Sequence, residues 1–166
     1  MELLLVRHAI AVERGTVASD AERPLTPEGR ARMTEAARGL ARLITPQAIL
    51  SSPWLRAMQT AEILRETYGL GRVRVCEALA SADYDAVIEA ATETDASPVA
   101  LVGHEPWMGE LLAYLVTGDP AGMGVTFKKG GAALARSAGE PRPGGCWLEW
   151  LIPPGVLRRV AGEQKG

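Results

Sequence analysis

Two histidines are present in 166 residues, and each ends a short apolar run: Leu3-Leu4-Leu5-Val6-Arg7-His8 and Val99-Ala100-Leu101-Val102-Gly103-His104. A neutral imidazole can attack phosphorus and carry the phosphoryl group covalently. The charge of Arg7 disfavours an imidazolium at His8, moving its pKa below the ordinary ~6.5 and leaving a nucleophilic ring at neutral pH. A second element is Ser51-Ser52-Pro53-Trp54-Leu55-Arg56. Here Arg56 falls in the first turn of an expected helix, so its guanidinium and the free helix N–H groups could address one anion. The third is Gly103-His104-Glu105-Pro106. Glycine permits close backbone approach, and His104 could donate to a phosphoryl oxygen in the transition state. Each element alone also fits a blander role: a backbone-satisfied histidine, a capped helix with a solvated arginine, a structural histidine before a helix.

The elements that must position these residues follow from the hydrophobic pattern. Strand-like runs alternate with amphipathic segments for two thirds of the chain, which predicts an α/β three-layer sandwich with a mostly parallel central sheet and helices on both faces. Both imidazoles then stand at carboxyl ends of strands, where open sheets form ligand crevices. Residues 13–23 read as a loop. Thr26 caps a helix with Pro27 at its first position, and Met33, Ala36, Ala37, Leu40, Leu43 and Ile44 face the sheet. A second helix follows Pro53 with Trp54, Met58, Ala61, Leu64 and Tyr68 as its buried stripe. Strands are expected near 47–50, 72–75 and 99–102, and helices near 84–93 and after Pro106, the latter burying Met108, Leu111, Leu112 and Leu115. Residues 131–137 and 146–152 predict a C-terminal antiparallel hairpin around a Pro/Gly-rich turn. Both faces of the second hairpin strand carry large apolar groups, and residues 161–166 read as a frayed polar tail.

Composition narrows the field. At 47% hydrophobic and 23% charged, the chain fits a single domain spanning residues 1–166. A net charge of −2 offers no general attraction to nucleic acid or anionic membrane. No run is long enough to span a bilayer, and Arg7 and His8 interrupt the N-terminal apolar run before a signal-peptide core forms. Cys76 and Cys146 lack CxxC pairing and the arginine of a cysteine phosphatase loop, so a cytoplasmic location with reduced thiols is expected. Asp83-Tyr84-Asp85 lacks the preceding apolar strand of a magnesium-dependent phosphatase. With no Walker loop and no clustered metal ligands, no cofactor and no metal are called for.

The ordered set Arg-His, Ser-Ser-Pro-x-x-Arg, Gly-His resembles the histidine phosphatase superfamily, whose larger members include the cofactor-dependent phosphoglycerate mutases. The run Ser19-Asp20-Ala21-Glu22-Arg23-Pro24-Leu25-Thr26-Pro27-Glu28-Gly29 narrows the resemblance to the short SixA-like phosphohistidine phosphatases. It covers the chain from Met1 to about Leu115. The resemblance implies that His8 is the phosphorylated nucleophile and that Arg7, Arg56 and His104 form the phosphate pocket, which phosphate or sulfate would occupy. Arg23 resembles a further phosphate or substrate contact oriented by Asp20; a loop-bracing ion pair is the alternative. The family's Arg-His-Gly is Arg7-His8-Ala9 here, so the backbone after the nucleophile must accept a Cβ.

Glu77 is the nearest positional candidate for the general acid of the phosphomonoesterases in this superfamily, although Cys76-Glu77-Ala78-Leu79 does not spell the usual acid motif. A phosphorylated imidazole leaves more readily than an alkoxide and can be protonated from solvent. Short loops leave little room for a lid, so an open pocket would admit a histidine displayed on another protein. The expected partner is a phosphohistidine-bearing protein such as a phosphorelay component. A small-molecule phosphomonoesterase and a non-catalytic phosphate-dependent binding module are the alternatives.

Overall fold

The computed structural model describes residues 1–162. Six strands form one sheet in the order β3-β2-β4-β1-β5-β6: β1 (Glu2–Arg7), β2 (Ala48–Ser51), β3 (Val73–Val75), β4 (Val99–Gly103), β5 (Ala132–Ser137) and β6 (Cys146–Ile152). The first four are mutually parallel, and β5 pairs antiparallel with both β1 and β6. The α/β sandwich with a C-terminal hairpin is therefore the observed architecture.

Strand alternation sends neighbouring side chains to opposite faces. Leu3, Leu5, Val99 and Leu101 pack against α3 (Tyr84–Thr92) and α4 (Trp107–Thr117), together with Phe127. Leu4, Val6, Ala100 and Val102 pack against α1 (Pro27–Leu40), α2 (Leu55–Tyr68) and α5 (Pro154–Gly162). The helix after β1 thus covers one face and the helix after β4 the other. Adjacent parallel strands whose chains leave to opposite faces open a crevice at their carboxyl ends. The register pairs Arg7 with Gly103, which sets His8 beside His104 at that crevice.

Several expectations need correction. Thr26 caps α1 as its spacing predicts, its side chain accepting from the Gly29 N–H, but the helix ends at Leu40 and leaves Leu43 exposed. In α2 the buried face is Arg56, Ala57, Thr60, Ala61, Ile63 and Leu64, so Trp54, Met58 and Tyr68 are only half-buried. Within the loop at 13–23, Asp20–Glu22 form a 3-10 turn capped by Ser19. A bulge opposite Leu134/Ala135 resolves the ambiguous strand β6: Leu148 joins the α3/α4 side, while Trp150 and Ile152 join the other. Ala161 and Gly162 are helical, in α5; the rest of the expected tail, 163–166, lies outside the described residues. Cys76 and Cys146 are both buried and free.

Candidate active site

His8 follows the last residue of β1, and its backbone is pinned on both sides: its N–H donates to the Gly103 carbonyl, and its own carbonyl accepts from Gly130. The ring is 5% exposed. Nδ1 lies 2.7 Å from the Ala9 carbonyl, an acceptor only, so Nδ1 carries the proton and Nε2 holds a free lone pair. Burial first, then the charges of Arg56, Arg7 and Lys129, outweigh the Ala9 bond and lower the His8 pKa to about 3. The ring is neutral at pH 7, as its arginine neighbour predicts, but desolvation contributes more than charge. Ala9 itself is buried among the α1/α2-side residues, and its N–H donates to Thr60 Oγ1 at 3.1 Å. The methyl group replacing the family's glycine hydrogen therefore fits.

Arg56 is buried at 2% exposure in the first turn of α2. Its Nε donates to His8 Nε2 at 3.1 Å, while its two terminal nitrogens reach the Asp20 backbone carbonyl at 2.5 Å and Asp20 Oδ2 at 3.0 Å. The Asp20 carboxylate also accepts from Arg23 Nε at 2.8 Å and lies 3.3 Å from Arg14 Nε. Partial burial would raise the Asp20 pKa, but the Arg23 hydrogen bond and the charges of Arg56 and Arg23 outweigh it and hold it below the usual carboxylate range. Arg23 is braced further by the Val12 carbonyl. Asp20 thus joins Arg23 to Arg56, a connection that spacing alone did not reveal.

His104 is 2% exposed, its ring centroid 5.1 Å from that of His8. Its Nε2 lies 2.7 Å from Ser52 Oγ, and Ser52 Oγ also accepts from the Trp54 N–H. With the serine proton given to His104 Nε2, the ring proton stands on Nδ1; with Ser52 Oγ accepting twice, it stands on Nε2. That Nδ1 is buried without a partner, as is Arg7 Nε. Buried polar atoms are rarely left unsatisfied, and of these two one belongs to His104 and the other to the residue preceding His8. Burial, followed by the charges of His8 and Arg56, holds His104 far below the ordinary histidine pKa.

The expected residues do not all converge equally. His8 touches both His104 and Arg56, Arg7 adds its charge and an Nε without a partner, and Arg23 joins through Asp20. Glu77 is exposed in a 3-10 turn (Glu77–Ala80) after β3, and among the described residues no hydrogen bond or ion pair links it to the cluster. Ser52, Lys129 and Trp54 were not among the site residues read from sequence, which put Trp54 in the buried stripe of the helix instead. The Trp54 ring lies tilted by 47° against His104 at a centroid distance of 4.4 Å, and the Arg56 guanidinium stands 4.6 Å from its ring centroid. Its signal was a large aromatic at the helix cap, where small polar residues are preferred. Among the described residues no group of three or more histidines, cysteines or carboxylates is placed to hold a metal.

Comparison with known proteins agrees with this geometry. Residues 3–97 match the histidine phosphatase superfamily (branch 1). An uncharacterized protein of Picosynechococcus is 37% identical over 142 residues, covering 82% of this chain and 86% of its own. The protein histidine phosphatase SixA complexed with tungstate superposes with a TM-score of 0.80 at 27% identity, covering 95% of this chain and 99% of that one. The alpha-ribazole phosphatase of Shigella flexneri shares the fold, with a TM-score of 0.72 at 15% identity over 93% of this chain and 97% of its own. More than half of the sequence matches one family and nearly all of the fold matches one of its short members: the chain belongs to the histidine phosphatase superfamily and is SixA-like.

Proposed function

We propose that the protein hydrolyses phosphohistidine on a partner protein, such as a phosphorelay component in the cytoplasm, with His8 as the covalent carrier. The observation that carries this reading is the His8 ring itself: neutral, buried, with its proton fixed on Nδ1 by Ala9 and its Nε2 lone pair facing the Arg56 guanidinium. The likeness to a SixA bound to tungstate supports a phosphoryl group at this place.

In the first step the Nε2 lone pair attacks phosphorus in line, and the bond from phosphorus to the substrate's imidazole nitrogen breaks. The departing imidazole takes a proton from solvent. Arg7, Arg56 and His104 hold the phosphoryl oxygens, and Arg23 supports Arg56 through Asp20 or meets the substrate directly. Water then cleaves the bond between phosphorus and His8 Nε2, releasing inorganic phosphate and the neutral ring. No general acid is assigned. Glu77 is remote from the cluster's hydrogen bonds, and an imidazole leaving group does not require a carboxylic acid.

The test is rapid quench with a labelled phosphohistidine protein. Wild-type protein should retain acid-labile label that chases to phosphate, and His8→Ala should retain none and lose turnover by at least about three orders of magnitude. Equal label on both proteins would reject the covalent step. Phosphate affinity without hydrolysis of any substrate would instead make the protein a binding module, and hydrolysis confined to sugar phosphates would make it a phosphomonoesterase.

A further inference from the structure

Trp54 occupies a position that local structure does not favour for it. It is the N-cap of α2 and makes no side-chain capping bond, where a serine or aspartate would satisfy a free N–H. Among the described residues it joins neither hydrophobic cluster. Its contacts are instead those of the phosphate cluster: His104 at 4.4 Å, Arg56 at 4.6 Å, and Trp107 set edge-on at 5.8 Å and 70°. Both indoles are half-buried and keep part of their surface toward solvent. A large apolar ring beside the reacting groups, uncapped and outside the core, is a local inconsistency of the kind found where function overrides packing.

We propose that Trp54, backed by Trp107, is the specificity-determining contact for a planar nitrogen-heterocycle leaving group. The inference rests on the phosphohistidine reading and adds to it a residue that recognises the ring instead of the phosphoryl group. In-line attack by His8 puts the leaving group on the side of phosphorus opposite Nε2, and the half-buried, partly exposed indoles are assigned to that side. There an imidazole would meet two indoles set edge-on at 70°, and aromatic rings favour offset or edge contacts at centroid separations of ~4.5–7 Å. A non-planar leaving group gains no such contact. The Arg56 guanidinium on the Trp54 ring ties the aromatic wall to the group that holds the phosphoryl oxygens.

Two small substrates isolate the ring. Phosphoimidazole and phosphoramidate both carry a P–N bond, and only the first has a ring on nitrogen. The ratio of their kcat/KM values should fall about fivefold in Trp54→Leu and stay near the wild-type ratio in Trp54→Phe. Because it is a ratio, general damage to His104 or Arg56 cancels. A ratio unmoved in the folded Leu variant would overturn the role of Trp54. Should that variant not fold, product inhibition of the wild type decides: imidazole at pH 8 should inhibit at least fivefold more strongly than uncharged, saturated tetrahydrofuran, and equal inhibition would overturn the proposal. Wild-type inactivity toward both P–N compounds, alongside hydrolysis of a sugar phosphate, would reject the phosphohistidine reading itself.

Discussion

His8 and His104 stay neutral where most exposed histidines would be half-protonated, and the cause is chiefly burial. Their folded pKa values lie below the ~6.5 of an unfolded chain, so over the intervening range the unfolded state binds more protons. Stability therefore rises with pH across that window and is lost on acidification from about 6.5 towards the folded value, about 3 for His8. Each histidine contributes a limiting slope of ~1.4 kcal/mol per pH unit. Asp20 acts in the same direction at lower pH, since its carboxylate contribution disappears as pH falls through a depressed folded pKa. Between pH 6.5 and 5 ordinary carboxylates remain ionised, which leaves the histidines to account for the change. Urea midpoints should accordingly drop from pH 7.5 to 5.0, with a smaller drop in His104→Asn. Equal wild-type midpoints would mean that the folded protein holds charged imidazoles.

At the scale of elements, two glycines report how helices hold the site. A Cβ on Gly29, in the first turn of α1, would stand 2.0 Å from the Ile10 carbonyl, two residues after His8. One on Gly39, near the other end of the helix, would stand 1.8 Å from the Leu157 carbonyl of α5. The two positions are separated by ~15 Å along the axis. Each alanine variant should lose about 1–3 kcal/mol of stability through overpacking. Only Gly29→Ala should also lower turnover of the remaining folded protein, because it displaces the segment that follows His8, the proposed nucleophile. Thermal melts paired with turnover per folded molecule would show this split, and equal losses of turnover would remove it. The α5 docking site was not read from the sequence, which assigned only residues 161–166 beyond β6, as a tail; Pro154 stands at the helix start, a place proline favours. Its single fully buried residue, Leu157, leaves little periodicity to read.

For the whole molecule, the parallel core and the two histidine-bearing strand ends were legible because β1 and β4 are short apolar runs that lead directly into histidine. The order of Arg7, His8, Arg56 and His104 was legible too, since each lies within two residues of a strand end or helix start. What was not legible is long-range. Asp20 and Arg56 are 36 positions apart, and no periodicity reports a carboxylate folding onto a distant guanidinium. The helical phase of α2 placed Trp54 in a core stripe because the true first turn begins one residue later, at Leu55. The Asp20 bridge bears on the catalytic cycle. Asp20 already supplies an anion to Arg23 and Arg56, so on the proposed mechanism a departing phosphate would leave a cradle that reseals without outside ions. Asp20→Asn should let inorganic phosphate inhibit about tenfold more tightly, the equivalent of ~1.4 kcal/mol. Weaker inhibition would instead show Asp20 serving mainly to aim Arg56 and Arg23. On that mechanism, a loop carboxylate that looks like an obstacle to substrate would clear the site for the next one.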